Sequence, residues 1–572
     1  MRDHQDGRIT IVPAGAGAGK TWRIAETLTR WLKDGTVRPE RILATTFTEA
    51  AAAELRGRLR ARALDAGMTE AALGLERAYI STIHGLGLRL MKEHAFAAGG
   101  SPAPRLIDEA EAGLLLRRAM ARSDRLAEVA GDLASFGYKW NGTDGPEDQF
   151  RARLRGVVGL LTGLGDAGTA PQLGPEAVAA MIEAYGSVAD DGTALTSALR
   201  AAVGDLLAAF PDSLAADAGS NTARKAFTGD HGNLRAALEG DRLDREWVLW
   251  EALRELRLSK KGAPTPEGYG TLATRVMAAA GRIEEHPGPR DVAAAHLSAL
   301  IAGAQEVLGH YTARKRALGV VDYADMIAGA ERMLARDPAI AEAVLAEIDC
   351  VVIDEFQDTN PVQFALLGHL VARAPRVLLV GDAKQAIMAF QGADARLSEA
   401  LAAQMPDALD PLDRNWRSDP RIMALDNALG PGLFADYQPL APQRPETGAP
   451  ALEALRVPVS RKVHPPKPRP QHLVADRIRT LLAEPAQVVD RRTRDLRPVR
   501  PADIAVLCRT HGQIDAYADA LRALGLPVSR EEQGWHAAPV PAAVRAALAF
   551  AADPADSHAA LCFAVLGPPA MP

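Results

Sequence analysis

Cysteine is scarce in this chain. Only Cys350, Cys508 and Cys562 occur in 572 residues, far apart and with no C-x-x-C pair. That excludes a four-cysteine zinc or iron–sulfur site and a disulfide framework, and leaves three inert thiols in a reducing compartment as the expectation. Long apolar runs are missing too. No uninterrupted run reaches the roughly 18 residues a membrane helix needs. The opening MRDHQDGRIT has no apolar segment of a secretory signal. A cytoplasmic location is expected. Neither sign of charge dominates: 66 basic and 72 acidic residues leave a net charge of −6. A globally basic nucleic-acid coat is excluded, whereas a local basic groove is not. No repeat of fixed period is present.

What is there follows the order of an α/β chain, long enough at 572 residues for roughly four domains. ITIVPA (9–14) is a short, partly β-branched apolar run, the pattern of a buried parallel strand. TWRIAETLTRWLKDG then sets Ile24, Leu28, Trp31 and Leu32 on one helical face, with Gly35 as a stop. RILATTF (41–47) and TEAAAAELRGRLRARAL repeat strand and helix. Strands return at CVVIDE (350–355), RVLLVGD (376–382) and DIAVLCR (503–509). The alternation predicts an α/β fold with a parallel sheet. Residues 101–305 differ: helical spacing prevails in DEAEAGLLLRRAMAR and TLATRVMAAAGRIEEH, and loops such as WNGTDGPED intervene. They read as a helical domain inserted into the α/β one. The basic, proline-rich RKVHPPKPRPQ (461–471) reads as an exposed, solvated loop.

AGAGAGKT (14–21) ends like a phosphate loop, although Ala14 stands where the strict G-x-x-x-x-G-K-[ST] pattern has glycine. In a chain rich in Ala and Gly such a run also arises by chance. Read as a site, Ala14, Gly15, Ala16, Gly17, Ala18 and Gly19 turn backbone N–H groups toward an anion at a helix N-terminus. Lys20 would then reach the β- and γ-phosphates of a bound nucleotide, and Thr21 would hold Mg²⁺. CVVIDEFQDTN supplies the partner: strand alternation gives Asp354 and Glu355 different tasks. Asp354 can hold Mg²⁺, directly or through water, and Glu355 can orient and deprotonate the attacking water. The alternative, two exposed acids at a strand end, is disfavoured by the phosphate loop upstream. VLLVGDAKQAIMAFQGAD (377–394) opens a third strand into Gln385, suited to sense a γ-phosphate. In LDRNWRSDPRIM, Arg417 can offer charge to the transition state and Trp416 can stack on a base.

Together these motifs resemble the UvrD/Rep-like superfamily 1A DNA helicases. ILATTFTEAAAAEL (42–55) resembles that family's motif Ia, STIHGLGLRL (81–90) motif Ib, VVIDEFQDTN motif II, VGDAKQAIMAFQGAD motif III and NWRS motif IV. KRALGVVDYADM (315–326) also recurs there ahead of motif II, and GDAKQAI leans toward the RecB/AddA helicase–nuclease branch. The family's loop is commonly A-G-A-G-S-G-K-T, so Ala14 is ordinary in it. The resemblance implies a P-loop NTPase with RecA-like parallel-sheet domains and a large helical insertion. It implies an ATP- and Mg²⁺-dependent motor walking 3′ to 5′ on single-stranded DNA in repair or recombination. It places a RecA-like domain (1A) at 1–100 plus 306–405, the insertion (1B) at 101–305, a partial second RecA-like domain (2A) at 406–535 and the start of a truncated 2B at 536–572. It implies Phe390 as a stacking aromatic, with Thr46, Thr82 and His84 near the strand. Core packing for Phe390 and a structural role for His84 stay open.

Several positions depart from the family. Gln391 replaces its usual Arg, Met388 its Tyr, Ala50 a Lys in motif Ia, and Ile83 an aromatic in motif Ib. Gln5 lies too near the loop to match the adenine-reading Gln. Motifs V and VI and the AddA-type nuclease motif find no match. Three expectations follow: a helicase or its N-terminal part; a non-motor ATP- and DNA-binding module needing a partner chain for the missing motor and nuclease parts; or an inactive truncated gene product.

Overall fold

Short β-branched runs separated by helices of helical periodicity fold into one parallel sheet. The computed structural model describes residues 8–96, 101–259, 265–446, 452–457, 469–530 and 538–567, except 132, 135, 213, 219, 436, 485, 491, 492 and 494. Gln5 and most of the basic 461–471 loop lie outside the described residues. The elements that position the site are β1 (Ile9–Pro13), α1 (Lys20–Lys33), β2 (Ile42–Thr46), α2 (Glu49–Asp65), β3 (Tyr79–Thr82), α3 (Ile83–Glu93), α4 (Pro287–Leu318), α5 (Tyr323–Arg336), β4 (Cys350–Ile353), α6 (Pro361–Val371) and β5 (Arg376–Gly381).

The sheet order is β1-β5-β4-β2-β3, every pair parallel, with Ile9 opposite Val377, Cys350 opposite Arg376 and Ile42 opposite Cys350. The period of two sorts its side chains. Leu43, Val351, Ile353, Val377 and Leu379 pack on α3, α5 and α6, through residues such as Leu86, Ile327 and Leu367. Ile42, Ala44, Val352, Leu378 and Val380 face α1 and α2, where Ile24, Leu28, Trp31, Leu55 and Leu59 are buried. Both faces are therefore covered, as an all-parallel sheet requires. Residues 409–412 run alongside the outer edge of β1, with bridges from Ile11 to Leu409 and from Ala14 to Leu412.

Among its described residues the regular structure of the insertion is helical apart from Arg105–Leu106, which pairs in parallel with Val320–Val321 and ties its two ends together. It has two cores. One packs Leu300, Ala304, Val307 and Tyr311 of α4 on Phe150, Leu154 and Val158 of the helix Pro146–Gly163. The other surrounds the fully buried Trp250. α4 is the one helix among the described residues long and apolar enough to cross a membrane, but its apolar face is the first of these cores. It also runs unbroken through the expected boundary at 305/306. Near its end, buried Lys315 bonds Asp322 (2.8 Å) and Asp325 (2.6 Å), the acids that cap α5. That gives KRALGVVDYADM a structural role.

By compactness the chain divides into Met1–Arg417 with Gly430–Ala441, and Ser418–Leu429 with Pro442–Pro572. The boundary expected at 405/406 lies inside the first unit. In the second, the helices Pro470–Ala483 and His511–Ala523 pack together, a hairpin pairs Gln487–Val489 with Leu496–Pro498, and Pro539–Ala552 packs on Ser557–Leu566. The strand expected at 503–509 does not form. The segment has no ladder partner among the described residues, and Leu507 is 95% exposed.

Candidate active site

Every parallel strand of the sheet ends at the same edge, where open α/β folds bind ligands. β1 leads there into the loop 14–19. Ala14, nearly fully buried, has an extended rather than left-handed backbone and donates its N–H to the Gly381 carbonyl (2.9 Å). A Cβ is therefore tolerated where the strict pattern has glycine. Gly17 (φ 77) and Gly19 (φ 95) do need their freedom, because both take the left-handed region. Gly19 caps α1 without any side-chain bond, so the first N–H groups of α1 face the loop.

β4 delivers the acids. Asp354 still donates its N–H to the Thr45 carbonyl of β2 (2.9 Å), so it continues the ladder. Glu355 does not: it is the one described non-glycine residue with positive φ, at 52. The two acids thus diverge through a left-handed turn, not through the strand alternation expected from the sequence. Glu355 Oε2 meets Lys20 Nζ at 2.6 Å and accepts from Gln357 Nε2 at 2.9 Å. Burial, reinforced by the Glu355 charge, pushes the Asp354 carboxyl up to about 6. A cation beside Asp354 would relieve that cost.

β5 adds the third group. Buried Gln357 accepts the Asp382 N–H (2.9 Å), and Asp382 accepts from Gln385 Nε2 (2.6 Å) and Lys384 Nζ (3.1 Å). One bonded chain thus joins Lys20, Glu355, Gln357, Asp382 and Gln385. Asn415, Trp416 and Arg417 lie against the loop, with the Trp416 N–H donating to the Gly17 carbonyl (2.9 Å). Trp22 (54% exposed) and Trp416 (53%) flank Gly19.

Residues 3–151 and 284–406 match the family profile described as UvrD/REP helicase N-terminal domain. Over those two stretches, just under half of its length, the chain matches the UvrD/Rep-like helicases. It is close to their RecB/AddA branch. It is 26% identical over 536 residues to the RecBCD enzyme subunit RecB of Mycolicibacterium smegmatis, covering 91% of this chain and 39% of that one. To an ATP-dependent helicase/nuclease subunit of Pelotomaculum thermopropionicum it is 26% identical over 652 residues, covering 92% and 49%. The ATP-dependent DNA helicase UvrD2 of Mycobacterium tuberculosis matches at 27% over 219 residues, 37% of this chain and 28% of that one. This UvrD-like chain therefore spans less than half the length of these relatives.

Its sheet is a RecA-like α/β unit with a helical insertion. Along the same edge, Thr46 and Thr82 pair at the ends of β2 and β3. Both are buried, and both hydroxyls are bonded internally: Thr46 donates to the Thr48 carbonyl (3.0 Å), Thr82 to Glu49 (2.9 Å). His84 sits edge-on to Tyr323 at 5.8 Å, and burial holds its imidazole below the ordinary value. Phe390 is 78% exposed, so it is not a core residue.

The donor set suits Mg²⁺. Among the described residues no three His, Cys, Asp or Glu cluster to hold a metal alone. Asp354, and Thr21 in the first turn of α1, would offer a partial oxygen set of the kind Mg²⁺ takes when phosphates and water complete its shell. Gln357, Trp22 and Asn415 were not singled out from sequence. The first and last stand inside quoted motifs, and their burial is the signal that marks them.

Proposed function

We propose that this chain is the ATP-binding motor part of a 3′-to-5′ DNA helicase or translocase of repair and recombination, acting in the cytoplasm. The observation that carries the reading is the Lys20–Glu355 contact, 2.6 Å, beside Asp354 at the strand ends. A triphosphate entering the loop offers Lys20 a stronger partner and draws it off Glu355. The freed carboxylate, still steadied by Gln357, then takes the proton from the attacking water. Gln385 and Arg417 attend the γ-phosphate, and Trp416 stacks on the base. Mg²⁺ bound at Thr21 and Asp354 would neutralise charge on the β- and γ-phosphates. Phe390 stacks on a DNA base, with His84 and the backbone around Thr46 and Thr82 along the strand.

The test is ATP turnover with and without single-stranded DNA, beside Lys20→Ala. DNA-stimulated hydrolysis that Lys20→Ala abolishes is expected, and nucleotide binding unaffected by Lys20→Ala would refute the site. A second reading, a module that binds nucleotide and DNA but depends on a partner chain for turnover, is favoured by Gln391 and Ala50, which remove two family charges. Tight binding without turnover selects it. No binding at all selects an inactive gene product.

A further inference from the structure

The loop 14–19 has carbonyls that α1 cannot satisfy, and a distant segment satisfies them. Asn415 Nδ2 donates to the Ala16 carbonyl (2.8 Å), across 399 positions of sequence. The next residue, Trp416, donates its N–H to the Gly17 carbonyl (2.9 Å). The same Asn415 amide accepts the Arg417 N–H on Oδ1 (2.9 Å). The Asn415 side chain is therefore bonded at once to the phosphate loop and to the arginine's backbone. It is only 2% exposed, so water cannot substitute for either partner. The fit is close: a Cβ on Gly17 would stand 2.6 Å from Arg417 Cβ and 3.0 Å from Asn415 Nδ2. Immediately upstream, the bridge from Leu412 to Ala14 holds the segment in register with β1.

We infer that Asn415 is a positioning residue that locks the phosphate loop and Arg417 into one unit before nucleotide binds. The inference rests on the ATP reading above. A loop free to rearrange would lose preorganisation, and Arg417 would no longer start from a fixed point beside Gly17. Asn415→Leu removes both bonds while keeping the branched shape of the side chain.

The test measures binding of fluorescent ATP and ADP analogues to the full chain, with Lys20→Ala, Asn415→Leu, Arg417→Ala and the Asn415→Leu/Arg417→Ala double variant. Asn415→Leu is expected to weaken ATP binding about tenfold and flatten the preference for ATP over ADP. The double variant should lose little beyond the larger single loss, because Asn415 acts through Arg417 and the loop. Unchanged ATP affinity in Asn415→Leu, or losses that multiply in full, would overturn the inference. Amide exchange on the unmodified chain covers the case in which Asn415→Leu does not fold. The Trp416 and Arg417 amides should be protected, and exchange at unprotected rates removes the lock. If the unmodified chain binds no nucleotide, the ATP reading fails, and amide exchange alone decides whether the lock exists.

Discussion

At the carboxyl edge of the sheet, Lys20, Asp354, Glu355, Gln357 and Asp382 crowd into buried or half-buried positions and bond one another. On the helical insertion, charged side chains such as Arg242 with Glu246 and Arg151 with Glu147 pair along helix surfaces in water. Exposed pairs of that kind contribute little, and the insertion is held by apolar packing around Trp250 and α4. At the sheet edge polar groups are retained where they cost stability, and that is where chemistry is to be sought.

The comparison breaks most visibly at Glu355. Glu355→Gln should lower ATP turnover about 10²- to 10⁴-fold while nucleotide still binds. Steady-state hydrolysis at the unmodified rate would remove Glu355 from the chemistry. Trp250→Ala in the insertion should cost about 3–5 kcal/mol in urea unfolding. Nucleotide binding at the sheet should survive it, and a joint loss would show that the two regions are not separable.

Asp354→Asn should act in the opposite direction. Its folded-state pKa, raised to about 6, means the folded protein loses stability as the pH rises through the window between the ordinary carboxylate value and 6. Removing the charge should therefore raise nucleotide-free stability by about 1–3 kcal/mol above pH 6, with the gain fading in acid. Mg²⁺-dependent nucleotide binding should fall at the same time. A lower melting temperature for Asp354→Asn at pH 8 would sink this account. Asp349, held below the usual carboxylate range by the Arg38 guanidinium, has the opposite sign. Its contribution is present above the unfolded value and is lost as pH falls through the lower folded one. Asp349→Asn should cost about 1 kcal/mol at neutral pH and nothing in strong acid. Arg242→Ala should leave the melting curve unchanged.

Much of this was legible in the sequence. The strands at 9–14, 41–47, 350–355 and 376–382 are apolar runs, and all four form. β3 is only four residues long, too short to stand out beside the motif that follows it. DIAVLCR has the composition of a strand, but a strand exists only when another pairs with it, and composition carries no partner. The loop, the acids and Gln385 were legible because their residue types are unusual in their settings. Gln357 and Asn415 were not, because burial of a polar side chain is decided elsewhere: by a loop 25 positions away for one and 399 for the other.

The left-handed backbone at Glu355 has a consequence for anyone moving this chemistry to another scaffold. Regular alternation would return a residue at position 355 to the face of Ile353, among the apolar side chains under α3, α5 and α6. Grafting Asp-Glu onto another strand end would therefore carry the letters without the divergence of the two side chains. What has to be transplanted is a change of handedness at one residue, together with the buried Gln357 that braces it. A short scan for two adjacent acids would pass many strands that cannot aim the second one.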